Sequence, residues 1–250
     1  MYRRPDSRSL MSDPQTLNVV AVSLDITGTL IHSPRLAEIY SAVLERHGTM
    51  IPATVLEDLI PTVWNEMDCR VEGCVDRFGE HPEGVTGWWN DYLQRICDYR
   101  DLPHPGPFAA AELYDRFGQA DAWEIYPDVL PALDELAEAG FRLLALSNWD
   151  PRLPIVLERL DLARRFEAIV YSADVGFEKP HERIFRQALE VIGLRPGSVV
   201  HVGDRQIDDV EGATAVDMHA LLVDRKDGEG DIDDLRDLPA RLRLVEPMLS

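Results

Sequence analysis

Lysine is nearly absent from this chain. Of its 25 basic residues only two are lysine, Lys179 and Lys226; the rest are arginine. Genome composition is the simplest account, and the acid excess that accompanies it also fits salt tolerance; the sequence leaves both open. Positive charge of any kind is scarce. Against those 25 basic residues stand 45 acidic ones, a formal net charge of −20. That excludes a broad basic surface for nucleic acid or an anionic membrane. No apolar run is long enough to cross a bilayer. The three cysteines, Cys69, Cys74 and Cys97, are too few for a disulfide framework and fit a reducing, cytoplasmic setting. Cys and His do not fall at zinc-binding spacings. Residues 1–16 are polar, with Arg3-Arg4 but no apolar stretch behind them. They read as a loose tail, not a secretory or twin-arginine signal, with Met11 offering an internal start.

What is present is enough for a folded protein. With 250 residues, 45% of them hydrophobic, the chain can bury one large core plus a smaller attached unit. The apolar run "LNVVAVSL" reads as a buried strand. Residues 34–122 then read as helices throughout: "RLAEIYSAVLERHG", "ATVLEDLIPTVWNEMD", "GVTGWWNDYLQRICDYR" and, after the breaker-rich "LPHPGPF", "AAAELYDRFGQ". From Tyr126 onward strands and helices alternate, with "FRLLALSN", "EAIVYSAD", "SVVHVGD" and "MHALLVD" as strands. Such alternation predicts an α/β fold, a Rossmann-like parallel sheet with helices on both faces. The expected division is a core of residues 17–33 and 123–250, with 34–122 inserted as a helical unit.

In open parallel sheets, sites form beyond the carboxyl ends of the strands. Four polar islands fall there: "DITGT", "LSNWD", "GFEKP" and "GDRQIDD". Each alone reads as an ordinary turn or helix start. In this order, on one alternating pattern, they resemble the haloacid dehalogenase superfamily, in its branch with a helical cap after the first motif. The "SNWD" and "DxTGT" details are similar to its dehalogenase-like hydrolases. The resemblance runs from residue 18 nearly to the end.

The resemblance implies a Mg2+-dependent phosphohydrolase acting on a small phosphorylated substrate through an aspartyl phosphate. Asp25 is the expected nucleophile. Asp25, Asp204, Asp209 and the backbone carbonyl of Thr27 are the expected metal ligands, hard oxygens suited to Mg2+. Asp208 is a neighbour for the outer shell. Ser147 and Asn148 are expected to bind phosphoryl oxygens, by hydroxyl and backbone N–H, with Thr27 beside them. Lys179 supplies a point charge for the transferring group. Trp64, Trp88 and Trp89 read first as core of the insertion and second as a substrate platform. His32 could reach the site, and Arg35 and Arg70 could meet a substrate anion. The expected assembly is a monomer or homodimer, with no nucleic-acid or membrane partner.

One position departs from the pattern. The phosphatases of this superfamily carry a second Asp two residues after the nucleophile, as general acid and base; here that residue is Thr27. Loss of such a group costs about 10²–10⁴ in rate. Relatives that also lack it fit less well. P-type ATPases span membranes. Phosphonate-cleaving members need a cap lysine, and residues 34–122 contain none. Haloacid dehalogenases proper need no metal and lack the acidic fourth motif. The alternatives kept open are a 2-haloacid dehalogenase-type hydrolase and a catalytically weak binder of a phosphorylated ligand. Asp150, His32 or ligand-bound water could substitute in part for the missing Asp.

Overall fold

The structure, a computed structural model, describes residues 19–67, 73–79, 81–226 and 228–243. The expected tail at 1–16, with Met11, and the candidate Arg70 lie outside these.

In chain order the elements are β1 (Ala21–Leu24), β2 (Ile31–His32), α1 (Leu36–Arg46), α2 (Ala53–Glu66), α3 (Gly84–Asp98), α4 (Pro107–Phe117), β3 (Glu124–Ile125), α5 (Val129–Glu138), β4 (Arg142–Ser147), α6 (Leu153–Arg159), β5 (Ala168–Tyr171), α7 (Ser172–Val175), α8 (Glu182–Ile192), β6 (Val199–Gly203), α9 (Gly212–Thr214), β7 (His219–Leu222) and α10 (Leu238–Arg243). Five strands form one sheet in the order β5-β4-β1-β6-β7, with every pairing parallel. The α/β architecture is therefore as the alternation predicts.

Side chains on a strand alternate between faces, and both faces here are covered. Val22, Leu24, Leu143, Ala145, Val200 and Val202 point one way, into a core with α5, α6 and α10. Ala21, Leu144, Leu146 and Val199 point the other way, onto α8 and α9. Helix α8 answers with Ile184, Phe185, Ala188, Leu189 and Ile192, a spacing that keeps all five on one helical face. It stops at Gly193, in the left-handed region at φ +64°.

Helices α1 to α4 add no strand to this sheet. They bury a separate apolar cluster that includes Tyr40, Leu44, Leu56, Val63, Tyr92, Ile96, Leu113 and Phe117. The chain leaves the core and returns to it along an antiparallel ribbon, with Ile31 opposite Ile125 and His32 opposite Glu124. A third crossing lies inside the insertion. Residues 74–79 pack on the loop before Lys179, with Val75 bridged to Phe177.

Two segments differ from the sequence reading. "EAIVYSAD" is strand only to Tyr171 and then turns into α7. "QIDDVEGATAV" starts as a π-helical turn, Gln206–Glu211, and only then becomes α9. Wide turns of this kind occur where side chains must be re-aimed, and this one carries Asp208 and Asp209. Gly212, at its end, lies against the Phe185 ring, which a Cβ there would approach to 2.7 Å.

Candidate active site

Adjacent strands β4, β1 and β6 deliver the site. Asp25 follows β1, Ser147 ends β4, and Asp204 follows β6. Lys179 comes from the loop between α7 and α8, and Asp209 from the π-turn. Two glycines let these groups approach the backbone. Gly28 sits at φ +89°, and a Cβ on it would lie 2.3 Å from Asp204 Oδ2. A Cβ on Gly203 would lie 2.1 Å from Asp209 Cγ. The "TGT" and "VGD" glycines are thus required by close packing, not by turn habit alone.

Lys179 Nζ donates to Asp25 Oδ1 at 2.6 Å, to Asp209 Oδ1 at 2.5 Å and to the Leu146 carbonyl at 3.3 Å. The Ser147 hydroxyl donates to the same Asp25 Oδ1 at 2.9 Å. Oxygens of Asp25, Asp204 and Asp209 lie within 4.8 Å of one another. The structure therefore brings together Asp25, Ser147, Lys179, Asp204 and Asp209. Asn148 adjoins them with its amide turned to the backbone of Lys179: its Oδ1 accepts the Lys179 N–H at 2.6 Å and its Nδ2 donates to the Lys179 carbonyl at 3.0 Å. Thr27 is exposed beside this group, its backbone bridged to Ile31. Asp208 is not among the three clustered carboxylates; it pairs with Arg205 at 2.7 Å.

Charge is unevenly shared. Burial pushes the Asp25 carboxyl up from its ordinary value, against the pull of Lys179. Asp204 opens to water at its surface, yet protein crowds it at longer range; that enclosure, and then the charges of Asp25 and Asp209, push it up to about 7. Asp209 goes the other way. Burial disfavours its charge, but Lys179 and His201 outweigh burial and hold it below the usual carboxylate range. Burial also disfavours the charge of Lys179, and Asp209 and Asp25 outweigh it, so the ammonium stays protonated.

Several residues at the site were not singled out by the sequence. His201 is fully buried on the α8 face of β6. Its Nε2–H donates to Asp209 Oδ1 at 3.0 Å, because a carboxylate only accepts, and in the neutral ring Nδ1 accepts from the Ser23 hydroxyl at 3.0 Å. A His inside an otherwise apolar strand was the available signal. Arg152 was likewise missed. It grips Asp150, donating from its backbone N–H at 3.0 Å and Nε at 2.8 Å, and also from Nη2. Trp89 Nε1 donates to Asp150 from the insertion at 3.3 Å.

These contacts correct one expectation. Asp150 cannot substitute for the missing Asp, since its carboxylate is buried and already holds a guanidinium and an indole. The other substitute, His32, is stacked on Tyr126 with ring centroids 4.3 Å apart, and Tyr126 is near enough to Asp204 to feel its charge. Arg35 is exposed and donates to the Asp121 carbonyl. Trp88 is buried, while Trp64 and Trp89 are partly buried; all three pack on one another and on Tyr92, and Trp88 and Trp89 also on Phe78.

Known proteins resemble this chain in sequence and in fold. Haloacid dehalogenase-like hydrolase domain-containing protein 3 of Mus musculus is 28% identical over 212 residues, 83% of this chain and 82% of that protein. A glyceraldehyde 3-phosphate phosphatase of Methanopyrus kandleri is 32% identical over 215 residues, 83% of this chain and 84% of that protein. In fold, the chain matches a defluorinating L-2-haloacid dehalogenase with a TM-score of 0.71 at 21% identity, over 90% of this chain and 95% of that one. It matches a HAD phosphatase from Thermococcus onnurineus with a TM-score of 0.62 at 24% identity, over 89% and 97%. At those identities the structures speak to fold alone. The family model for haloacid dehalogenase-like hydrolases matches residues 19–217. The chain is an enzyme of the haloacid dehalogenase-like hydrolase family.

Proposed function

We propose that this chain is a Mg2+-dependent phosphohydrolase that uses Asp25 as nucleophile on a small phosphorylated metabolite. The arrangement of Asp25 carries the reading. One of its oxygens is held by Ser147 and Lys179, and the other has no hydrogen-bond partner among the described residues. An oxygen with free lone pairs, fixed by its twin, suits in-line attack on phosphorus. Ser147 and the backbone N–H of Asn148 take the phosphoryl oxygens, and Lys179 meets the charge that develops on them. The name of the archaeal relative, a glyceraldehyde 3-phosphate phosphatase, supports a small phosphorylated metabolite as substrate.

The donor set fits a divalent cation. Three carboxylates face one ammonium, so a net negative charge is left when all are ionised. All the donors are hard oxygens, which suits Mg2+. The Asp25 carboxylate, Asp204 and the Thr27 carbonyl would hold it, joined by Asp209 Oδ2, which accepts only the Arg205 N–H among the described residues. Bound there, Mg2+ offsets the repulsion between an anionic nucleophile and an anionic phosphoryl group. Residues 34–122 serve as a cap that shields the site and selects the substrate. The protein acts in the cytoplasm, as monomer or homodimer, without nucleic-acid or membrane partners.

The test is a screen of phosphorylated metabolites, aryl phosphates and 2-haloacids, with Mg2+ and with chelator. Phosphate release that chelator abolishes is the expected result. Halide release insensitive to chelator would replace this reading with the dehalogenase one.

A pH dependence follows from Asp204. Below about 7 its carboxyl carries a proton that the cation must displace. Calorimetric Mg2+ affinity should therefore rise with pH, by up to about tenfold per unit, and flatten above 7. An affinity that stays constant from pH 5.5 to 8.5 would remove Asp204 from the ligand set.

A further inference from the structure

Lys179 is held at its main chain from two sides. On one side is the core, where the Asn148 amide bonds both its N–H and its carbonyl. On the other side is the insertion. Glu178, the residue before it, donates its backbone N–H to the Cys74 carbonyl at 2.8 Å, and Asp76 donates its own to Gly176 at 3.0 Å. The Glu178 carboxylate is fully buried. Among the described residues, Arg77 makes all of its hydrogen bonds. Arg77 Nε lies 2.7 Å from Oε1 and 3.0 Å from Oε2, Nη2 lies 2.7 Å from Oε2, and the Arg77 backbone N–H lies 2.9 Å from Oε1. The guanidinium is itself fixed by aromatics of the insertion, 4.9 Å from the Trp64 ring and 5.7 Å from that of Trp88.

The loop that presents Arg77 is preformed. Asp76 accepts from Phe78 N–H at 3.1 Å and from Gly79 N–H at 2.5 Å. Its carboxylate also lies near Ser172, at the start of the core segment that leads to Lys179. A buried ion pair is weak grounds for stability, because desolvation offsets the attraction, and its clearer use is to fix register. Here the register it fixes is that of the residue next to the ammonium that pairs with Asp25 and Asp209. The bidentate fork sets both the distance and the plane of Glu178.

We propose that Arg77 is a positioning residue: through Glu178 it sets the placement of Lys179, so that docking of residues 74–79 and alignment of the lysine occur together. For the rate this rests on the phosphohydrolase reading, while the lysine's own environment can be followed without it. An unseated insertion would leave Lys179 misplaced and the site inactive, which couples enclosure of the substrate to competence.

The scarcity of lysine makes the test direct. With two lysines in the chain, protein grown on lysine carrying 13C at Cε shows two side-chain signals, and Lys226→Arg assigns them. The double variant Arg77→Gln, Glu178→Gln removes both charges and leaves no buried ion unpaired. Its Lys179 signal should move while that of Lys226 stays, and kcat on 4-nitrophenyl phosphate should fall about fivefold with a smaller change in KM. Arg77→Lys, which keeps charge but loses the fork, should move the signal less and recover part of kcat. Arg159→Ala is the control, since it cuts a different contact between insertion and core, at the Gly118 carbonyl, without touching the Lys179 loop. It should move neither signal nor kcat. A folded double variant with an unmoved Lys179 signal would overturn the proposal, as would equal shifts in the Arg159 control. Should the double variant fail to fold, an unmoved signal in Arg77→Lys would overturn it instead. A moved signal in a protein whose wild type releases no phosphate would uphold the positioning role and reject the phosphohydrolase reading.

Discussion

Asp25→Asn ends turnover. The amide keeps the shape of the side chain but is a poor nucleophile, and the expected loss on an aryl phosphate is at least about 10⁴-fold. The fold should not suffer. Burial raises the Asp25 carboxyl above its ordinary value, which means that the folded protein binds this proton more tightly than the unfolded chain does. The sign follows from linkage: between the unfolded and folded values stability falls as pH rises, and above both the whole penalty is present. An uncharged Asn escapes that penalty. In chelator at pH 8, its melting temperature should equal or exceed that of wild type, and at pH 4 the difference should shrink. Lys179 keeps Asp209 as partner, so no buried ammonium is left alone. Binding of inorganic phosphate should persist, since removing a negative charge beside the anion does not oppose it. Turnover that survives would mean another nucleophile or a contaminating enzyme; a melting temperature well below wild type would mean that the Asp25–Lys179 pair is structural first.

The alternation of strands and helices was legible because it is a local signal. Period and breakers set the elements, and the polar islands mark strand ends in order. On those islands it is the resemblance to the superfamily that singles out Asp25, Ser147, Lys179, Asp204 and Asp209, which the fold brings together. What was not legible depends on partners far apart in the chain. Arg77 and Glu178 are separated by 101 positions, and neither carries a local mark to set it apart from a solvated charge. His201 read as one residue of a strand because strand position alone does not tell which side chains face it; the pairing with Ser23 across β1 and β6 supplies that. Asp150 is closed to proton transfer for a nearer reason. Arg152 follows it by two residues, a spacing that looks inert until the turn folds the guanidinium back onto the carboxylate. The π-helical turn is a similar case: the sequence has helical spacing there, and the close approach of Gly212 to Phe185 was hidden in the tertiary fold.

Thr27→Asp should speed the enzyme, and the gain should depend on the leaving group. A Thr hydroxyl titrates too high to donate or accept a proton near neutral pH, whereas a carboxyl can do both. The position suits the change. Thr27 is exposed at the edge of the carboxylate cluster, one residue before Gly28, whose backbone packs on Asp204. An alkyl phosphate needs its leaving oxygen protonated, so its rate should rise by at least about 10-fold. An aryl phosphate, whose leaving group departs as an anion, should gain less in the first step. It can still gain in the second, where a base activates water against the aspartyl phosphate. Single-turnover bursts must therefore be measured beside steady rates. The new carboxylate also adds negative charge near Asp25 and Asp204, which raises their proton affinities further. The acid limb of the pH–rate profile should move to higher pH, and Mg2+ should be needed at higher concentration below pH 7. Thr27 favours acyl or aryl phosphates, whose leaving groups need no proton, and the leaving-group series tests that preference. Equal rates in both proteins, for both classes and both steps, would show that proton transfer is already served. With Asp150 locked to Arg152, the side chain then to replace is His32, beside Tyr126 at the edge of the site.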